Sequence, residues 1–345
     1  MASYSQPRRG SMAFYPRKRA ERETPSIKAY GKEAKPLNFL CYKVGMVQVI
    51  GKNAHKGNPT FGQEVTIPAT VVTCPPMKVF GVRAYTKAEI GVEVLGDAIS
   101  ENLEKILLNK ITNFKKPKKK EGKEAAEKEK KKNANLKNKN TPSTISDFEK
   151  EINNIEYFTL LAHTHPEKTE IKKKPDVCEI SLGGKKEDQL ALAKEKIGKE
   201  INIEDVVNAG EFIDVQAVTK GKGFQGVIKR FNVRIQRPKA KIMRVVGCIS
   251  PWHPHTVMYT VPRAGQMGYQ TRTEYNKRLL KISDKVEEVN PKCGFQNFGM
   301  VKEKFAIIKG SIPGPSKRCI GLRKSIRPEK SIGIKLESVE KIITN

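Results

Sequence analysis

Two histidine pairs and one glycine turn are the places where this chain could do chemistry. His163-Thr164-His165 and His253-Pro254-His255 each hold two imidazoles two residues apart. In extended backbone that spacing aims both rings at one face, as a bound divalent cation would require. Neither pair has a third or fourth ligand at a recognised spacing, so the first reads as structural or surface histidine and the second as a stacking or hydrogen-bonding pair, with no metal expected. Gly221-Lys222-Gly223-Phe224-Gln225-Gly226 fits the pattern GxGxxG after a strand-like run. A dinucleotide site also needs a helix next and an acid about 20 residues on. Val227 to Val233 reads as extended and basic, and the next carboxylate is Glu274, so no cofactor is expected. No HRD or DFG accompanies the turn, which removes the kinase reading. Cys41, Cys74, Cys178, Cys248, Cys293 and Cys319 lie far apart without a CxxC pair, which predicts reduced, mostly buried thiols. No paired acids or nucleophile with a base stand out, so enzyme is the minority reading.

The glycine turn opens a stretch of different character. From Val215 to Thr273 there is no Asp or Glu, yet Lys220, Lys222, Lys229, Arg230, Arg234, Arg237, Lys239, Lys241, Arg244, Arg263 and Arg272 all fall inside it. Such a segment repels itself unless a polyanion neutralises it, and a nucleic-acid backbone supplies regularly spaced phosphates. The sole tryptophan, Trp252, sits between Pro251 and His253-Pro254-His255. Prolines stiffen the backbone around a large aromatic ring, which predicts an outward-facing stacking tip rather than a core tryptophan. The glycines let backbone approach a partner closely while Lys220, Lys222, Lys229 and Arg230 meet phosphates.

The rest of the chain must position that stretch. Its 345 residues carry a net charge of +29, 37% hydrophobic residues and a mean hydropathy of −0.55, so an anionic partner is the default and part of the chain must be extension. No apolar run approaches a spanning helix of about 18 residues, and the amino-terminal sequence has no apolar signal region, so no membrane partner is expected and the protein reads as cytoplasmic. Residues 1 to 36, with Arg8, Arg9, Arg17, Lys18, Arg19 and Arg22 among Gly, Ser, Pro and Tyr, read as a basic arm. β-Branched runs at Phe39 to Ile50 and Gln63 to Tyr85, broken at Gly45, Pro68 and Pro75-Pro76, read as strands. Asp97 to Ile111 reads as a helix from the spacing of Ile99, Leu103, Ile106 and Leu107, while residues 115 to 140 form a Lys-, Glu- and Asn-rich low-complexity insertion. Strands are expected at Tyr157 to His163, Val177 to Leu182, Glu211 to Val218, Leu279 to Val289, Phe305 to Ile308 and Ile332 to Leu336, with a helix at Lys186 to Ile197 and a turn into Ile203 to Val207. Phe305 to Pro328 is a second acid-free region, carrying Lys317, Arg318, Arg323, Lys324 and Arg327. Many short strands punctuated by Gly and Pro argue for a mainly β chain closed into a barrel, with an α+β insertion.

The motifs PRRGSMAFYPRKRA at 7 to 20, YKVGMVQVI at 42 to 50, Pro75-Pro76-Met77, TKGKGFQGVIKR at 219 to 230, WHPHTVMYTVPRAGQMGYQTRTEYNKR at 252 to 278 and GSIPGPSKR at 310 to 318 together make the chain resemble the universal large-subunit ribosomal protein three family, in its archaeal and eukaryotic form. The resemblance covers nearly the whole length. It implies a translation-factor-type β-barrel, formed by 37–85 and 200–345, with an α/β insertion at 86–199 and long basic RNA-penetrating extensions, namely the arm and a central loop at 220–278. It also implies early binding to large-subunit ribosomal RNA, and a tip at Trp252 near the peptidyl transferase centre that influences tRNA accommodation. Tyr259 stands where the family frequently has tryptophan, Gln270 where it has histidine, and Ala240-Lys241 where eukaryotic members tend to carry a histidine, which favours an archaeal form.

The expected RNA-binding set is Arg8, Arg9, Arg17, Lys18, Arg19, Lys220, Lys222, Lys229, Arg230, Arg234, Arg237, Lys241, Arg244, Trp252, His253, His255, Arg263, Gln266, Tyr269, Arg272, Lys317, Arg318 and Arg323. Expected partners are large-subunit ribosomal RNA and neighbouring ribosomal proteins, with no cofactor and no small-molecule substrate. The alternatives are an RNA-modifying enzyme and a free basic RNA chaperone.

Overall fold

The computed structural model describes residues 8–100, 102–111, 144–328 and 339–344. In chain order the strands are β1 (Asn38–Lys52), β2 (Glu64–Thr73), β3 (Met77–Lys87), β4 (Val92–Ile99), β5 (Ile155–Thr164), β6 (Val177–Ser181), β7 (Glu200–Ile201), β8 (Phe212–Val218), β9 (Phe224–Gln225), β10 (Gly265–Gln266), β11 (Thr271–Ser283), β12 (Phe305–Lys309), β13 (Cys319–Lys324) and β14 (Lys341–Ile343). Among the described residues the α-helices are short: α1 (Lys105–Lys110), α2 (Ile145–Lys150), α3 (Lys186–Lys196) and α4 (Val227–Phe231). The chain is therefore mainly β, as its short β-branched runs punctuated by Gly and Pro predict.

One sheet runs β13-β8-β11-β12-β2-β1-β14, and β1 also pairs with β13 through Asn38↔Arg323 to Tyr42↔Cys319. That extra pairing closes a ring of antiparallel strands and removes its free edges. Val44, Val47, Val49, Ile67, Ala69, Val71, Phe305 and Ile307 fill one core; β1 alternates buried and more open positions beyond Tyr42, whereas β12 is buried on both faces, sending Phe305 and Ile307 to this core and Ala306 and Ile308 to the other. At its start β1 is buried on both faces from Asn38 to Tyr42, since the second sheet packs on its other side.

The second sheet is β4-β3-β5-β6, with β7 on β3. β3 thus pairs in this sheet rather than with any ring strand, although the reading from sequence ran the barrel on to 85. Phe148 of α2, together with Leu190 and Ala193 of α3, covers this sheet and joins the core that reaches Phe39 and Val215. Gln189 secures α3 by accepting from the Phe158 amide at 2.9 Å. A buried polar link ties the sheets together: the Tyr42 hydroxyl donates to Asp176 at 2.8 Å and lies 2.7 Å from the Thr164 hydroxyl. In an apolar setting that satisfied network fixes one relative register.

Several expectations need correction. Asp97 to Ile111 is not one helix: β4 continues to Ile99, and only Lys105–Lys110 is helical. Arg83 on β3 rewards the strand by binding Asp97 through Nε at 2.6 Å and Nη2 at 2.8 Å. Leu279 to Val289 is the end of β11 followed by a 3-10 turn at Val286–Glu288. β1 and β2 run through Gly45 and Pro68 rather than breaking there, Gly45 being absorbed as a register shift after Lys43. Of the thiols, Cys41, Cys74 and Cys319 are buried and Cys178 half-buried, but Cys248 and Cys293 are exposed. The low-complexity stretch at 115 to 140 and the strand expected at Ile332 to Leu336 lie outside the described residues.

Candidate nucleic-acid interface

The basic stretch leaves the ring at the end of β8 and returns to it in β11, where Thr271↔Val218 through Arg278↔Phe212 pair. Its last residues are therefore strand, not loop. The neck is a miniature hairpin in which Phe224-Gln225 pairs with Gly265-Gln266. Lys222 N donates to Met267 O at 2.9 Å and Met267 N to Gly223 O at 2.9 Å. Gly268 has φ +69°, and a Cβ there would stand 2.1 Å from the Lys220 carbonyl oxygen, so only glycine lets the two strands of the neck cross this closely.

A short helix does follow the glycine turn, against the extended reading of Val227 to Val233. Val227 and Phe231 are buried and pin α4 to the protein, and Asn232 ends it with φ 53°. One turn of helix with no acid before Glu274 still gives no dinucleotide site.

The arm is packed against this neck. Ala20 N donates to Tyr269 O at 2.8 Å. Arg8 Nη1 donates to Thr260 O at 2.7 Å and Arg9 Nη1 to Asn232 O at 3.3 Å. From the outgoing side, Arg230 binds the returning side of the neck, through Nε to Gln266 O at 3.0 Å and Nη1 to Arg263 O at 2.9 Å, and reaches Arg17 O at 3.3 Å with Nη2. Arginine faces rest on rings: Arg17 on Phe231 at 4.3 Å, Arg19 on Tyr269 at 4.7 Å, Arg272 on Phe14 at 4.7 Å and Arg318 on Tyr269 at 5.2 Å. Deeper in the arm, Ile27 reaches Gly321 of β13, where any Cβ would meet its Cδ1 at 2.0 Å. Tyr15, Arg230, Phe231, Val257, Met258, Tyr259, Val261 and Arg263 line a shallow cleft of about 270 Å³ where arm, neck and loop meet.

Charge crowds here. Burial first, and Arg17 next, push the guanidiniums of Arg230 and Arg272 below their ordinary value. Glu23 is the nearby counter-charge, ion-paired with Arg318 and bonded to the Tyr269 hydroxyl at 3.4 Å.

Beyond the neck the loop has almost no core of its own. Ile235, Ile242, Met243, Val245, Ile249, Val257, Met258 and Tyr259 are all exposed large apolar side chains. Trp252 is 80% exposed at the tip, its ring centroid 6.3 Å from that of His253 and 5.4 Å from that of His255. Arg234, Arg237, Lys241, Arg244, Lys220, Lys222, Lys229, Lys18 and Lys317 are exposed. An apolar and cationic surface with no carboxylate is what a stacked, phosphate-bearing partner would cover.

The family model for ribosomal protein L3 matches residues 1–345. The chain belongs to the ribosomal protein L3 family. It is similar to the large ribosomal subunit protein uL3 of Methanosphaera stadtmanae, 45% identical over 337 residues that cover 95% of this chain and 94% of that protein. The uL3 proteins of Methanobrevibacter smithii, at 42% over 337 residues, and Methanocaldococcus jannaschii, at 41% over 348 residues covering 99% of this chain and 97% of that protein, are similar to it too. Membership makes the chain a structural protein of the ribosome and not an enzyme.

For this L3 family chain the geometry separates the predicted contact residues into two groups. Arg8, Arg9, Arg17, Arg19, Arg230, Gln266, Tyr269, Arg272, Arg318 and Arg323 are engaged within the protein. Gln266 Nε2 turns back to the Gly268 carbonyl at 3.1 Å, and Arg323 binds Asp214 at 3.1 Å. The loop basic residues and Trp252 point outward. Residues that the sequence reading left out, Glu23 and Phe231, hold the first group in place. Phe231 had a signal in its hydrophobic character after a glycine turn; Glu23 had none.

Proposed function

We propose that this chain works as a structural constituent of the large ribosomal subunit, in the cytoplasm, binding large-subunit ribosomal RNA through its arm and its acid-free loop. The carrying observation is the loop, whose exposed apolar side chains and cations have no carboxylate and no core to hold them. The closed ring supports the reading as a translation-factor-type barrel at the RNA surface, with the second sheet as the α/β insertion. Arg234, Arg237, Lys241 and Arg244 neutralise phosphates so that RNA segments pack, while the arginines of the neck fix the direction in which the loop leaves the barrel. Trp252, flanked by His253 and His255, stacks on nucleotides near the peptidyl transferase centre and thereby influences tRNA accommodation. Neighbouring ribosomal proteins complete the environment. Among the described residues no helix is long and apolar enough to cross a membrane.

The test is co-sedimentation. The full chain should remain with large subunits through a high-salt wash, whereas a free RNA chaperone should wash off and exchange.

A further inference from the structure

We propose that Glu104, His163 and His165 form a binding site for a divalent transition-metal ion, zinc by its chemistry, at the outer end of the second sheet. His163 is the last but one residue of β5 and His165 follows directly after its end, and Glu104 is the cap residue immediately before α1. Glu104 Oε2 stands 3.6 Å from His163 Nε2 and 3.5 Å from His165 Nε2, and the three ligand atoms lie within 4.8 Å of one another. Those gaps are too long for hydrogen bonds. They are close to the separation of about 3.4 Å between donors that each lie about 2.0–2.2 Å from one tetrahedral zinc.

The groups are also left in need of a partner. His165 is 4% exposed, and its Nε2 and the Glu104 Oε2 are buried without any hydrogen bond. Leaving buried polar atoms unpaired is costly, and an ion between them would satisfy both. The surroundings hold the donors in the right form. His163 Nδ1 lies 3.4 Å from the Thr164 carbonyl oxygen, which favours the tautomer with the proton on Nδ1 and the lone pair on Nε2. Lys78 Nζ binds the other carboxylate oxygen, Oε1, at 2.7 Å and so leaves Oε2 facing the imidazoles. Phe80 packs beside His163, its ring centroid 6.1 Å away, giving the site an apolar wall. Two imidazoles and one carboxylate are a zinc donor set, with a fourth position open to water. Bound there, the ion would staple the connection between β4 and α1 to the end of β5. This inference is independent of how the loop meets RNA.

The experiment titrates the purified, chelator-treated full chain with Zn2+ and, for its spectrum, with Co2+. The chain has five histidines, and the tip pair His253 and His255 is the competing site. The proposal expects one equivalent of Zn2+ to bind and raise the melting temperature, and Co2+ to give a tetrahedral visible spectrum without a thiolate band. Glu104→Gln, which keeps the shape, should weaken Zn2+ binding about 10-fold or more. His165→Asn should do the same, and a His253→Ala/His255→Ala chain should bind as before. Failure of Zn2+ to bind, binding unchanged in Glu104→Gln, or binding lost only with the tip histidines would each overturn it.

Discussion

The guanidinium of Arg17, in the arm, lies 4.3 Å from the centre of the Phe231 ring, on the helix that follows the glycine turn. Arg17 O also accepts from Arg230 at 3.3 Å, so arm and neck hold each other although they are far apart in sequence.

Arg17→Ala should therefore free the arm without unfolding the ring. A partly exposed cation-ring contact is worth about 0.5–1 kcal/mol, so the melting temperature should fall only slightly. Limited proteolysis of the free chain should cut between residues 8 and 20 several-fold faster than in the wild type. Unchanged cleavage would show that the clamp does not restrain the arm.

Asp214 predicts a larger effect. Its side chain is fully buried, Arg323 lies at 3.1 Å, and the Asn276 amide donates to its Oδ1 at 3.1 Å. Asp214→Ala leaves a guanidinium and an amide without their acceptor, a loss of about 3–5 kcal/mol. Chemical denaturation of the free chain should show an unfolding free energy lower by that amount, far more than replacement of an exposed loop cation should cause.

Trp252→Ala should leave stability within about 0.5 kcal/mol, because the ring is 80% exposed and its aromatic neighbours are the exposed His253 and His255 of the same tip. Subunits carrying it should assemble, with the change appearing in tRNA accommodation rates. A marked drop in the melting temperature of the free chain would place the ring in a packed contact instead.

The thiols report on both folding and assembly. Burial raises the Cys41 and Cys319 thiols well above their ordinary value, and burial, then Asp176 and Glu179, pushes Cys178 up to about 12. An alkylating reagent at mildly alkaline pH should label Cys248 and Cys293 in the free chain and leave the others until it is unfolded. In assembled subunits Cys248, on the loop, should become protected. Equal labelling of Cys248 in both states would count against an RNA-covered loop.

Replacing Arg237, Lys239, Lys241 and Arg244 with glutamine removes four outward charges of the loop. Each phosphate contact contributes about 0.7–0.9 to the slope of log affinity against log salt, so the slope for ribosomal RNA should fall by roughly 3. An unchanged slope would mean that these side chains meet no phosphates.

β1, β2, β8 and β12 were legible because β-branched runs bounded by Pro and Gly leave few alternatives, and α3 because its Lys, Glu, Gln, Leu and Ala are helix formers that stop before Gly198. β13 and the first half of β11 were hidden in basic stretches whose strand character comes only from their pairing partners. β4 was not legible either, since Ile99, Leu103, Ile106 and Leu107 imitate a helix face, and only the pairing of Asp97 with Arg83 across the sheet decides for strand. α4 is too short to display any period. The acid-free loop stood out in the sequence because an absence of charge type needs no partner to be seen. Which arginines are spent inside the protein did not, because Glu23, Asp214 and the carbonyls they use are distant in the chain. Glu104 beside the histidines was hidden for the same reason.

The pairing of β1 with β13 has a consequence for biogenesis. During translation the first strand emerges long before its closing neighbour, so the ring stays open, and Ile27 lacks its seat on Gly321, until residues 319–324 have left the exit tunnel. The amino-terminal segment thus emerges well before the ring strand it packs against, and the non-local closure comes late.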